Sequence, residues 1–212
     1  VANKKFELAR KYLEKKYNLK SGRTVLEIAL PPEVFKSPEA MELVLTQIWN
    51  KATPDNLMET YLDGKRPPNY TFEMVSKGGD VRLYATVPNK NVDQLKGAMY
   101  SQYPGVELKE LELDYTAEIP SDLEGWACMS FHMGKKKDSE IPIKTYVDFG
   151  MDKLPKEEEK IDPMTTMLEM LATVKPHQQL WIQFIFNAYR ENSMLNGQLR
   201  HSDTWRDATR KK

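Results

Sequence analysis

The side chains best equipped for covalent or metal chemistry in this 212-residue sequence are one cysteine and three histidines. Cys128 and His132 have the composition of a thiol nucleophile and its base. Four residues apart on an extended strand, however, they stand about 13 Å from each other, beyond hydrogen-bond reach. Cys128 therefore reads as a small residue of a sheet surface or core. His132, His177 and His201 lack the His-x-x-x-His spacing, with a Glu-bearing helix between the two, that sets imidazoles around zinc. Glu157, Glu158 and Glu159 form a carboxylate run, but Pro155, Lys156 and Lys160 bracket it, which is the pattern of a solvated loop. The sequence contains neither Gly-x-x-x-x-Gly-Lys-Ser/Thr nor Gly-x-Gly-x-x-Gly, so both common phosphate-cradling loops are missing. The expectation is a non-enzyme with no catalytic, cofactor-binding or metal-ligating residue.

Charge is the next source of chemistry. Lys+Arg and Asp+Glu balance at 31 each. The balance is uneven along the chain: residues 1–24 carry eight basic and two acidic side chains, and residues 200–212 carry five and two. The body between them is acidic, so a nucleic acid would be held by the ends. The candidate phosphate contacts are Lys135, Lys136 and Lys137 in a polar loop, with Arg206 and Arg210 near the C-terminus. Arg82 and Tyr84 are expected on an open sheet face, where an aromatic residue can stack a base. That strand has one aromatic and no glycine, and Glu27 is its neighbour on the same face, which weakens the fit to RNA recognition.

These residues must be positioned by regular elements. Apolar residues recur at helical spacing over residues 4–17, among lysines, and predict an amphipathic basic helix over residues 1–23. Leu26, Ile28 and Leu30 alternate with Val25, Glu27 and Ala29, the pattern of a strand covered mainly on one side. Ser37-Pro38 has the form of an N-cap with proline at the first helical position, followed by Met41, Val44, Leu45 and Ile48 as a stripe. Lys77-Gly78-Gly79-Asp80 is a hairpin signal between two alternating strands. Asn91 and Gln94 resemble a capping box ahead of a helix with Val92, Leu95 and Met99 inside. A last strand is expected over residues 106–114, its alternation changing phase near Lys109-Glu110 as at a bulge. The order is strand, helix, strand, strand, helix, strand, a ferredoxin-like βαββαβ unit over residues 24–117.

The second half is expected to start again with a hairpin, residues 126–133 and 143–149 around the polar loop, then a helix after Asp162-Pro163 with Met164, Met167, Leu168 and Leu171 inside. Residues 179–189 form a strand apolar on both faces, which predicts a central position. Together these make a second, incomplete ferredoxin-like α/β unit over residues 118–192. Residues 193–212 are expected to be a charged C-terminal tail with at most a short helix through Met194 and Leu195. The fold class is thus α+β. Trp49, Tyr61, Trp126, Trp181, Phe184, Phe186 and Tyr189 are expected mostly in the core. Trp205 in its charged tail, and Phe6, Tyr12 and Leu13 on the first helix, have no obvious intramolecular mate and are the candidate partner-docking residues.

Apolar runs stop well short of the roughly 18 to 20 residues of a membrane helix, and the Lys-rich start has no signal-peptide core. With one cysteine there is no disulfide framework within the chain. A soluble protein without a membrane span is expected, cytoplasmic or within an assembled particle.

Several strings resemble a known family in order: Leu26-Glu27-Ile28; Pro31-Pro32-Glu33-Val34-Phe35-Lys36-Ser37-Pro38-Glu39-Ala40-Met41-Glu42; Phe72-Glu73-Met74-Val75-Ser76 with Gly78-Gly79; and Gln102-Tyr103-Pro104. Further on come Pro142-Ile143-Lys144-Thr145-Tyr146-Val147-Asp148-Phe149-Gly150, Glu157-Glu158-Glu159-Lys160-Ile161-Asp162-Pro163 and Gln179-Leu180-Trp181-Ile182-Gln183. Residues 25–190 resemble the uncharacterised amino-terminal domain of large type IV secretion or conjugation-type ATPases of candidate-phylum bacteria. In that family a membrane anchor precedes this domain and a P-loop motor follows it, where this sequence has a Lys-rich helix and a charged tail. The resemblance implies an assembly module without its motor and brings no catalytic residue. The expected function is a structural module that self-associates as a homo-oligomer or docks on other subunits of a DNA-translocating or DNA-packaging assembly, a secretion machine or a virion component. The alternative is a nucleic-acid-binding module using the basic ends and the loop at Lys135–Lys137.

Overall fold

The computed structural model describes residues 11–13, 15–17, 21–31, 38–49, 58–59, 62–65, 68–120, 122–134, 144–150, 153, 164–187, 191–195 and 198–202. It is a mixed α/β structure with one five-stranded antiparallel sheet. In chain order the elements are β1 (Arg23–Ala29), α1 (Pro38–Ile48), β2 (Asn69–Lys77), β3 (Asp80–Pro88), α2 (Val92–Gln102), β4 (Glu107–Glu110), α3 (Thr165–Ala172) and β5 (Gln179–Asn187). A separate antiparallel pair follows, β6 (Glu191–Leu195) with β7 (Gln198–Ser202). The sheet order is β4-β1-β3-β2-β5.

Period-two alternation divides each strand between two faces. Leu26 and Ile28 of β1, Tyr70 of β2, and Ala85 and Val87 of β3 line one face. On them pack Ala40, Val44 and Ile48 from α1 and Val92, Leu95, Ala98 and Met99 from α2, the stripes that helical spacing predicts. Met41, Leu45, Phe72, Leu83 and Leu108 close the margins of this core. Asn91 and Gln94 do meet, at 3.0 Å, but side chain to side chain rather than as a reciprocal capping box.

The β2–β3 turn is held from outside. Gly78 and Gly79 have φ of +62° and +93°, the left-handed conformations of a two-residue hairpin turn. The backbone after α3 lies directly on them: a Cβ on Gly79 would stand 2.9 Å from the Ala172 carbonyl oxygen. Ser76 donates to the Leu171 carbonyl oxygen at 2.6 Å, both residues fully buried, and Gly78 N–H donates to the Gln178 carbonyl oxygen at 3.0 Å. These contacts fasten α3 and the start of β5 to the end of the hairpin.

Several expectations are corrected. β5 opens no sheet of its own; it pairs along its whole length with β2, from Asn69↔Asn187 to Lys77↔Gln179, at the margin of the sheet and not its centre. A strand apolar on both faces looks central, and its exposed Phe184, Ile185 and Phe186 are the cost of the marginal place. The hairpin expected over residues 126–133 and 143–149 is not formed: residues 126–134 have no regular structure and residues 146–150 are turns. Alternation makes a strand only where a neighbouring edge supplies backbone partners. The regular part of the last expected strand ends at Glu110, after which Leu111 N–H still reaches the Val25 carbonyl oxygen at 2.9 Å. Residues 191–195 and 198–202 form a hairpin where a tail with a short helix was expected. Trp49 and Trp126 are exposed rather than in the core.

Candidate functional site

On the face of the sheet away from α1 and α2, alternation brings polar and aromatic residues into register. Glu27, Tyr84, Glu73 and Gln183 form one row across β1, β3, β2 and β5, and Arg82, Val75 and Trp181 form the next across β3, β2 and β5. Four strands thus present a single line of carboxylate, phenol, carboxylate and amide.

The chain covers this row itself. After β4, residues 111–118 cross the sheet, and Asp114 caps a short 3-10 turn, Tyr115–Glu118, by accepting from Thr116 N–H at 2.9 Å. This sets the Tyr115 ring flat against Tyr84, centroids 4.8 Å apart at 20°, and edge-on to Trp181, at 5.2 Å and 88°. Such ring pairs contribute about 0.5–1.5 kcal/mol beyond the area they bury. Val25, Val75 and the flanking Leu111 complete a second small core around them. Lys77 pins the turn by donating to the Tyr115 carbonyl oxygen at 3.4 Å and pairing with Glu118 at 2.7 Å.

Glu73 lies beneath the Tyr115 hydroxyl, and both residues are 5% exposed. Tyr115 donates to Glu73 Oε2 at 2.5 Å and accepts from Gln183 Nε2 at 3.1 Å, while Thr86 Oγ1 donates to Glu73 Oε1 at 3.0 Å. Arg23 supplies positive charge from the start of β1, its guanidinium bonded to Asn69, Thr71 and the Thr86 carbonyl oxygen. A carboxylate withdrawn from water is tolerated when its lone pairs are bonded and a cation is near, and both conditions hold.

The chemistry this allows is limited. Burial, and then the hydrogen bond to Glu73, push the Tyr115 phenol far above the ordinary tyrosine range, so it keeps its proton at neutral pH. Both Glu73 oxygens accept hydrogen bonds. The pair ties the crossing segment to the sheet.

Of the residues singled out from the sequence, Tyr84 is buried under Tyr115 and is not available to stack a base. Arg82 is bonded to Asp80 Oδ2 at 2.9 Å and Glu27 Oε1 at 3.0 Å. Cys128, His132 and His177 are exposed, and among the described residues no three His, Cys, Asp or Glu side chains converge to hold a metal. Tyr12 is exposed and Leu13 half-buried on a described helical turn. Phe6, Trp205, Lys135, Lys136, Lys137, Arg206 and Arg210 lie outside the described residues. Glu73, Tyr115 and Gln183 were not foreseen. The available signal was an acidic residue inside an otherwise apolar and threonine-bearing strand, which asks for a buried donor.

The described residues contain no helix long and apolar enough to cross a membrane. Comparison with protein-family models, curated proteins and solved structures returned no match for this chain.

Proposed function

We propose that the chain is a non-enzymatic assembly module that self-associates or docks on partner proteins within a large DNA-translocating or DNA-packaging assembly, in the cytoplasm or within the finished particle. The observation that carries this reading is the stretch in which Met129, Phe131 and Met133 are 79, 76 and 90% exposed. Three consecutive odd-numbered positions hold large apolar side chains in water, a cost that contact with another surface removes. The engaged Glu73–Tyr115 pair supports a holding role for the opposite sheet face. In this reading β1 to β4 with α1 and α2 are a ferredoxin-like unit, supported by the sheet order β4-β1-β3-β2, and β5 is an addition to its margin. The class of assembly rests on the likeness of residues 25–190 to the amino-terminal domain of secretion and conjugation ATPases.

Sedimentation velocity of the full chain over a wide concentration range tests the self-associating form. The expected result is a mass that rises with concentration. A single-copy mass throughout removes self-association and leaves docking on a different protein, to be tested with candidate assembly components.

A second reading is phosphate contact through the basic start of the chain. It is favoured by Lys11, Lys15 and Lys16, all exposed on the described helical turns, with Lys90 beside the Tyr17 hydroxyl at 3.4 Å. It predicts fluorescence-detected DNA binding whose affinity falls steeply as salt rises.

A further inference from the structure

The two margins of the sheet differ in kind. β4 is four residues long and reads Glu-Leu-Lys-Glu, so it is short and charged, as protected edges are. β5 is nine residues long, Gln-Leu-Trp-Ile-Gln-Phe-Ile-Phe-Asn, with no charge and no proline. Its pairing with β2 runs through nine consecutive positions without a bulge, so the strand is regular and its outer side presents an uninterrupted row of backbone donors and acceptors. No strand lies on that side among the described residues. Phe184, Ile185 and Phe186 are 38, 69 and 39% exposed there, on both faces of the sheet.

We infer that the free edge of β5 is a homotypic interface, on which β5 of a second copy of this chain pairs antiparallel about a two-fold axis. This inference rests on the assembly reading and names its surface. The occupant follows from the strand's own pattern. An antiparallel pair centred on Gln183 sets Phe184 opposite Ile182, Ile185 opposite Trp181 and Phe186 opposite Leu180 of the second copy. Each exposed apolar side chain then meets an apolar one on the same face, the unit of sheet stabilisation, and no charge faces a like charge. An isologous contact requires such self-complementarity, and a two-fold axis closes it at two copies. β4 fails the same requirement, because its glutamates and lysine would remain at the contact. The product is one continuous ten-stranded antiparallel sheet.

The test is light scattering of the full chain and of the Ile185→Lys variant over the same dilution series, with hydrogen exchange of the β5 amides read in parallel. Ile185 is mostly exposed, so lysine there leaves the fold of a single copy intact, which circular dichroism and thermal melting verify. The expected result is a two-copy mass for the wild type, a dissociation constant raised about tenfold or more by Ile185→Lys, and alternate β5 amides that exchange faster on dilution. An associating wild type unaffected by Ile185→Lys, with β5 exchange independent of concentration, overturns the edge pairing while the assembly reading stands. A wild type that is a single copy at every concentration overturns both the edge pairing and self-association. A single copy whose β5 amides are already all protected shows that the chain covers its own edge. The concentration dependence of wild-type exchange needs no variant, so the outcome does not hinge on how Ile185→Lys folds.

Discussion

The Tyr115 hydroxyl donates to Glu73 Oε2 at 2.5 Å across the face of the sheet, joining residues 42 positions apart in a buried contact. One residue belongs to β2 and the other to a turn after β4. Their bond therefore fixes where the chain crosses the sheet and seals a face that would otherwise carry exposed aromatic rings.

Removing the phenol oxygen leaves Glu73 buried with one partner fewer. Tyr115→Phe keeps the ring contacts with Tyr84 and Trp181, so its cost isolates the hydrogen bond, expected at about 1.5–3 kcal/mol for a bond to a charged acceptor. Glu73→Ala strands the Tyr115 and Thr86 hydroxyls and is expected to cost at least as much. Denaturant unfolding of both variants and their double mutant measures the coupling.

The same pair sets a pH dependence. The folded protein raises the Tyr115 pKa, first by burial and then through Glu73, so the native state holds this proton more tightly than the unfolded chain does. The stabilisation is fully present below about pH 10, the unfolded tyrosine value, and is lost progressively as pH rises above it. Tyr70, Tyr84 and Tyr103 are shifted the same way by burial. The stability of the wild type is therefore expected to fall as pH rises above about 10, and less steeply in Tyr115→Phe. Equal slopes for the two proteins would contradict the assignment.

At the β2–β3 turn, Gly79→Ala meets two obstacles, a φ of +93° and a carbonyl oxygen 2.9 Å from the new Cβ. The expected loss is about 1–3 kcal/mol. Gly97→Ala, in α2 with open space around it, is the opposite control and is expected to gain about 0.5–1 kcal/mol. Thermal melting of the two variants reads both signs.

How much of this was legible in the sequence depends on how local the determinant is. The stripe of α1 and the Gly78-Gly79 turn are read from neighbours a few residues apart, and the structure places them as read; β1 alternates as read but is covered on both faces, Leu26 and Ile28 under the helices and Val25 under the residues after β4, where cover mainly on one side was expected. β5 is different: its two apolar faces describe its own side chains, while its position depends on whether another strand arrives on its outer side. Residues 126–133 fail for the same reason, since an alternating segment without a receiving edge remains irregular. Tyr115 was hidden because nothing local to it names Glu73 as the acceptor. The spacing argument for Cys128 and His132 assumed a strand that is not formed: both stand exposed on an irregular segment, so Cys128 is not the residue of a sheet surface or core that was expected.

The apolar stretch makes its own prediction. Because Met129, Phe131 and Met133 are largely in water, replacing all three with serine is expected to change the stability of a single copy by less than about 0.5 kcal/mol per site. The same variant is expected to bind less of a hydrophobic dye and to associate more weakly. A large loss of stability would mean that these side chains are packed in the folded chain.

The most direct measurement is native mass spectrometry of the full chain along a dilution series, because an assembly module must present a surface that another molecule covers. The account predicts a two-copy species that gives way to single copies on dilution, and predicts that Ile185→Lys shifts this transition to higher concentration. A single-copy mass at every concentration, unchanged by substitutions at Ile185 or at Met129, Phe131 and Met133, would contradict self-association and leave only docking on a different protein.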